Sequence, residues 1–183
     1  MILITGVILV MGLSVAVIFN RLVRLKTLMA EAQSGIDVQL KRRYDLIPNI
    51  VEAVKGYMQH ERTVLEQITA LRTRAMGAAG SLQDKAVVEN RLSEVLKQIF
   101  VLAENYPDLK ASKNFLELQS ALISVEDELQ LSRRYYNGTV RNFNILAQSF
   151  PCNMVAKAFR FESAVFFEIE YATERRNPDV RFV

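Results

Sequence analysis

The run Ile2–Phe19, ILITGVILVMGLSVAVIF, constrains this chain more than any other feature: it is 18 consecutive residues without a charge. Wound as an α-helix it rises about 27 Å, enough for the hydrocarbon core of a bilayer with some help from its flanks. A cleaved secretory signal needs a basic stretch ahead of the apolar run and a small-x-small exit behind it. Only Met1 precedes the run and no Ala-x-Ala follows it, so an uncleaved transmembrane anchor over residues 1–20 is expected. Arg21, Arg24 and Lys26 stand directly behind the run, and no Lys or Arg stands ahead of it. The positive-inside rule then puts the N-terminus outside and everything after the anchor in the cytoplasm. The same three cations lie within reach of anionic headgroups, so membrane lipid is an expected partner. Gly12 and Ala16 form a small-x-x-x-small pair of the kind that lets membrane helices approach closely.

Composition narrows what the rest can be. Lys and Arg number 23 against 20 Asp and Glu, a net charge of +3, which argues against nucleic acid as a partner. Half the residues are hydrophobic, so the chain as a whole is not disordered. Seven Gly and four Pro are too few for a sandwich or barrel with many tight turns. One Cys excludes an intrachain disulfide framework and a thiolate metal cage, and one His excludes a poly-His site.

Behind the anchor the hydrophobic pattern is helical. Leu22, Leu25, Met29, Ala32 and Ile36 step by three and four; Leu40, Tyr44, Ile47, Val51, Val54 and Met58 continue the steps, then Leu65 and Ile68. This is the stripe of a helix that buries one face. Pro48 lacks a backbone donor and biases Ile47 away from helix, so a break or sharp kink is expected at Asp45–Pro48. A kinked continuous helix is the alternative, because the stripe keeps its phase across Pro48. The sequence RAMGAAG, residues 74–80, ends the next helix, and Ser81 with Asp84 resembles a capping box for a third. That third helix carries Val88, Leu92, Val95, Ile99 and Leu102 and stops at the turn signal Asn105-Tyr106-Pro107-Asp108. Phe115, Leu118, Leu122, Val125, Leu129, Ser132, Tyr136, Val140, Phe143 and Ala147 mark a fourth helix, which Phe150-Pro151 ends. Four amphipathic helices with short connections predict an all-α, up-down four-helix bundle over residues 21–149.

Residues 150–183 differ, holding six of the ten Phe in an aromatic-rich C-terminal extension. A short helix over Asn153–Phe161 and a β-prone stretch at Val165–Tyr171 are expected. Two readings of Phe150, Phe159, Phe161, Phe166 and Phe167 stand open. They pack on one end of the bundle, or, with Lys157 and Arg160, they dip into the membrane surface if the fourth helix returns toward it.

Few residues suggest chemistry. His60-Glu61 lacks the second His of a zinc-protease helix, and His60 reads as an exposed helical residue. Cys152 has no basic neighbour in sequence to make it a nucleophile. Asn137-Gly138-Thr139 is a glycosylation sequon that a cytoplasmic helix would not use. Glu126, Asp127 and Glu128 point in different directions on a helix and read as a solvated face. The cluster Lys41, Arg42, Arg43, Tyr44 and Asp45 sits beside the expected break at Pro48. It either pairs with acids on the fourth helix and fixes the bundle's register, or docks a partner.

The string Ile36 to Asn49, IDVQLKRRYDLIPN, followed by Val54-Lys55-Gly56-Tyr57, His60-Glu61, Tyr106-Pro107-Asp108-Leu109-Lys110-Ala111, Asn114-Phe115, Tyr136-Asn137 and Phe150-Pro151, resembles the LemA family from about Leu22 to Phe182. The resemblance implies a single-pass bacterial membrane protein with a four-helix bundle and no catalytic residues; no metal site or cofactor is expected, and the expected location is the cell's inner membrane. A magnetosome-membrane protein belongs to the same broad group, which makes a specialised organelle membrane the alternative location. Two departures are visible. The family often carries a Trp just before the IDVQL run and this chain has none, and Gly138-Thr139 sits where better helix formers are expected. The function expected is that of a non-catalytic, membrane-anchored scaffold or adaptor that binds membrane or cytoplasmic proteins and forms a homo-oligomer. The alternatives are a carboxylate–metal bundle enzyme, which one His cannot complete, and a transmembrane sensor, for which a one-residue outer tail leaves little to sense with.

Overall fold

The computed structural model describes residues 1–58, 60–77 and 82–167. Six helices account for most of them: α1 Ile2–Lys55, α2 Arg62–Gly77, α3 Leu82–Ala103, α4 Pro107–Lys110, α5 Lys113–Gln148 and α6 Cys152–Ala158. No strand occurs among the described residues. The fold is all-α, with one long apolar N-terminal helix. Ser81 and Phe182, and Val165–Tyr171 from residue 168 onward, lie outside the described residues; Val165, Phe166 and Phe167 are not in a strand.

Helix α1 runs 54 residues with Pro48 inside it, so the expected break at Asp45–Pro48 is not there. The helix stops at Gly56 instead, where the Tyr57 and Met58 amides both donate to the Val54 carbonyl, at 3.0 and 2.9 Å. The reason is burial on both sides of the proline. Ile47, Ile50 and Val54 are in phase on one face, and all are buried. The apolar area removed from water along this face opposes the roughly 3 kcal/mol that an interior proline costs a helix.

The buried stripe has a seven-residue period. Along α1 it reads Leu22, Ala32, Ile36, Leu40, Arg43, Ile47, Ile50 and Val54; along α5, Phe115, Leu122, Leu129, Tyr136 and Phe143 recur every seventh residue. Steps averaging 3.5 keep one face of a helix turned toward what it packs on. Gly138 does not interrupt α5, and a Cβ built on it meets nothing within 4 Å. Thr139, buried beside it, returns its hydroxyl to the Tyr136 carbonyl at 2.7 Å. Gly138→Ala is therefore expected to raise stability by about 0.5–1 kcal/mol, read as a higher urea midpoint in detergent.

Backbone contacts divide the chain into two compact units that interleave in sequence. One comprises residues 1–43 and 122–166, the other 44–121 and 167–183. In the first, the N-terminal part of α1 and the C-terminal part of α5 enclose Leu22, Phe143, Val155 and Ala156, with Phe19, Leu25, Met29 and Phe161 packed around them. In the second, α2 packs on α3. Tyr106, at the start of α4, donates its hydroxyl to Glu61 at 2.7 Å, and the Phe100 and Phe115 rings lie 6.0 Å apart.

Candidate functional site

Two groups of residues carry what chemistry the described part of the chain offers. The first surrounds the middle of α1. Lys41, Arg42 and Asp45 are exposed, Tyr44 is half-buried, and Arg43 has no exposed surface at all. Within the first unit the Arg43 guanidinium pairs with Glu126 of α5 at 3.0 Å. Burying a guanidinium costs several kcal/mol unless a partner and good geometry offset it. Glu126 is thus half-buried and paired rather than part of a solvated face, whereas Asp127 and Glu128 are exposed. Arg133 of α5 is also buried, at the step where the apolar pattern points to Ser132.

In the second unit Tyr44 carries two contacts. Its hydroxyl donates to the buried Glu89 carboxylate of α3. Its carbonyl is the one that residue 48 would bond in an unbroken helix, and proline has no N–H to give. Arg72 of α2 supplies the missing donor, with Nε 2.7 Å from the Tyr44 oxygen. One proline thereby becomes a docking point for a second helix. Nearby, the Glu61 carboxylate that accepts the Tyr106 hydroxyl holds that phenol above its ordinary range. His60 is exposed as expected, but it lies in the bend between α1 and α2 and not in a helix. An open groove of about 840 Å³ between α1 and α2 is lined by apolar Val51, Met58 and Leu65 and by charged Glu52, Lys55 and Arg62.

The second group lies in the first unit, where the apolar run ends. Arg21, Arg24 and Lys26 are exposed. Phe19 meets Phe159 and Phe161 at 4.8 and 5.7 Å between ring centroids, and Lys26 Nζ stands 5.9 Å from the Phe161 centroid. The aromatics of the extension therefore separate. Phe161 packs, Phe159 packs on one side only, Phe166 and Phe150 are exposed, and Phe167 is buried in the second unit. Residues 161–166 are pinned by side chains of α5. Asn144 donates to the Ala164 carbonyl at 2.9 Å and accepts its amide at 2.8 Å, and the Tyr136 hydroxyl donates to Val165 at 3.1 Å. Burial holds the Tyr136 phenol above its ordinary range.

Helix α6 ends in a Schellman cap. The Phe161 amide reaches back to Ala156 at 2.9 Å, the Arg160 amide to Lys157 at 3.3 Å, and Arg160 takes φ 57°. That left-handed conformation favours glycine. Arg160→Gly is expected to stabilise the fold by about 1 kcal/mol, measured as a shift of the urea midpoint.

Among the described residues no three His, Cys, Asp or Glu side chains come together as metal ligands. Cys152 is half-buried at the start of α6. Residues 2–17 of α1 are exposed, and the best 18-residue window has a mean hydropathy of 2.8 with none of it buried. Such a helix fits a membrane anchor. Fold and sites together define a class: helical proteins with an apolar N-terminal helix able to cross a bilayer, whose buried polar side chains tie one helix to another. The LemA family model matches residues 32–182, and the chain belongs to that family. It is 27% identical to Protein LemA of Metamycoplasma hominis over 161 residues, covering 88% of this chain and 72% of that protein. It is 19% identical to Magnetosome protein MamQ 2 of Paramagnetospirillum magneticum, covering 82% of this chain and 64% of the relative. Magnetosome protein MamQ of Magnetospirillum gryphiswaldense is 17% identical, with 77% and 62% covered. The chain thus spans just under two thirds of the MamQ proteins. None of these names describes an enzyme.

Proposed function

We propose that this protein is a single-pass, non-catalytic scaffold whose N-terminal helix holds a helical body at the cytoplasmic face of a bacterial inner membrane. The observation that carries the reading is α1 itself: its uncovered apolar turns lead without a break into the turns that pack the body. Exposed Arg21, Arg24 and Lys26 at the junction favour the cytoplasmic side for that body. The buried charges act between helices, as Arg43 does with Glu126, which suits a rigid holder better than a reaction centre. Confinement to a membrane raises the effective concentration of whatever binds, so a modest docking surface suffices. The groove between α1 and α2 offers a place for a partner, and exposed Ile123, Leu131 and Ile145 on α5 offer one for a further copy. The names of the MamQ relatives make a magnetosome-like organelle membrane the alternative address.

Proteolysis of sealed vesicles tests the placement. In right-side-out vesicles the body is expected to survive, and in inverted vesicles to be digested. A body cut from outside, or recovered soluble with a trimmed start, removes the reading. Crosslinking in intact membranes, compared with a variant lacking residues 150–183, identifies the partners. Light scattering in detergent tests self-association, which a monomer at every concentration would eliminate.

A further inference from the structure

We propose that the α5–α6 turn and the outer face of α6 form a second membrane contact, a wedge seated in the cytoplasmic leaflet beside the anchor, with anionic phospholipid as its ligand. The inference rests on the anchored reading above and adds a lipid site to it.

Depth comes first. In the first unit α1 and α5 run antiparallel, since Arg43 meets Glu126 while Leu22 packs with Phe143. Each helical residue advances about 1.5 Å, so the five residues from Phe143 to Gln148 carry α5 about 7 Å beyond the level of Leu22, toward the apolar run. Phe150 follows directly. The far end of α6 is fixed at the same level by the Phe159 ring against Phe19, the last residue of the run. A bilayer that holds Ile2–Phe19 therefore reaches this turn.

Exposure comes second. Val155 and Ala156 face inward, yet Phe150 is 80% exposed, Met154 64% and Phe159 53%. Three large apolar side chains are thus left uncovered on a seven-residue helix and the turns that flank it. Side chains apolar on both faces suit a helix bounded by protein on one side and lipid on the other.

Charge comes third. Residues 13–30 and 149–166 contain Arg21, Arg24, Lys26, Lys157 and Arg160 against one carboxylate, Glu162. Lys26 and Arg160 line one open cleft of about 220 Å³ together with Phe161 and the carboxylate Glu162, so the cations there outnumber the acid two to one. One cation over an aromatic and a second lining the same cleft, at the depth where the apolar run ends, match the phosphate of an anionic headgroup. Arg160 also keeps its guanidinium at a position whose backbone favours glycine.

The chain contains no Trp, so single replacements give clean depth probes in the full-length protein. Val10→Trp reports the anchor and Phe150→Trp the wedge, with Met154→Trp as a second wedge probe should Phe150→Trp misfold. Ile123→Trp is the control, 20 residues before Phe143 and about 30 Å from the anchor's end. Each variant is reconstituted in vesicles of equal parts phosphatidylcholine and phosphatidylglycerol, with one or the other lipid brominated on its acyl chains. Fluorescence of the Val10→Trp and Phe150→Trp proteins is expected to be quenched, and that of Ile123→Trp is not. Brominated phosphatidylglycerol is expected to quench the Phe150→Trp protein at least twofold more than brominated phosphatidylcholine, a preference that Lys157→Ala with Arg160→Ala removes. Quenching of the anchor probe but of neither wedge probe overturns the wedge and leaves the anchor standing. No quenching of the anchor probe overturns the anchored reading itself. Equal quenching of the wedge probe by the two lipids overturns the anionic ligand.

Discussion

Arg43→Ala is expected to lower the unfolding free energy by about 3–5 kcal/mol, the range for breaking a buried ion pair or emptying a large buried site. The guanidinium has no exposed surface and its partner Glu126 is 30% exposed, so the two ends of the pair are unequal. Removing the arginine leaves a cavity in the unit and a carboxylate that water can reach. Arg43→Met keeps most of the aliphatic stem and is expected to lose less than half as much, because part of the arginine's contribution is packing. Urea unfolding of the full chain in detergent, followed by the helical circular dichroism signal, separates the variants. A loss under about 1 kcal/mol for Arg43→Ala is what a surface residue gives. That result would put the guanidinium in water and discard its role in register.

The second large effect concerns Pro48, and it is a coupling rather than a single loss. Arg72→Ala is expected to cost about 1.5–3 kcal/mol, the range for a hydrogen bond from a charged donor. Pro48→Ala is expected to stabilise by about 1–3 kcal/mol, since it restores the amide and removes the ring's clash with the preceding turn. In the Pro48→Ala background the Tyr44 carbonyl has an amide of its own helix to accept. Arg72→Ala should then cost at least about 1 kcal/mol less than it does in the native chain. Additive effects in this double-mutant cycle would mean that Arg72 does not serve the carbonyl freed by the proline.

The sequence shows the helices far better than it shows their partners. Apolar steps of three and four mark α1, α2, α3 and α5, and Gly56, Gly77 and Pro151 mark ends. The seam on α1 is legible up to Leu40 and again at Ile47 and Val54, but not at two steps between them. There a reading that follows apolar residues passes to Tyr44 and Val51, while the structure buries Arg43 and Ile50. The same happens on α5, where Ser132 fits the pattern and Arg133 is buried. A cation on a helix stripe reads as solvent-facing because burying an unpaired charge is so costly. The partner of Arg43 lies 83 residues away, in another helix. The seven-residue spacing itself, Ile36, Arg43 and Ile50, is the signal that could have found it.

The C-terminal segment teaches the same lesson from the other side. Val165 and Phe166 have strand-forming side chains, yet no strand forms at these residues, and no strand to pair with occurs among the described residues. Asn144 and Tyr136 take over the hydrogen bonds of Ala164 and Val165. Neither α5 residue stands out in sequence, since an amide and a phenol are ordinary occupants of a helix.

Helix content, the apolar lead and the basic flank behind it follow from local rules: a periodic stripe and an uncharged run have few other ways to meet water or lipid. Where Pro48 leaves α1 unbroken, which arginine goes inside and which phenylalanines stay outside are settled by contacts between distant segments. Those contacts decide whether a freed carbonyl, a buried guanidinium or a bare ring finds something to satisfy it.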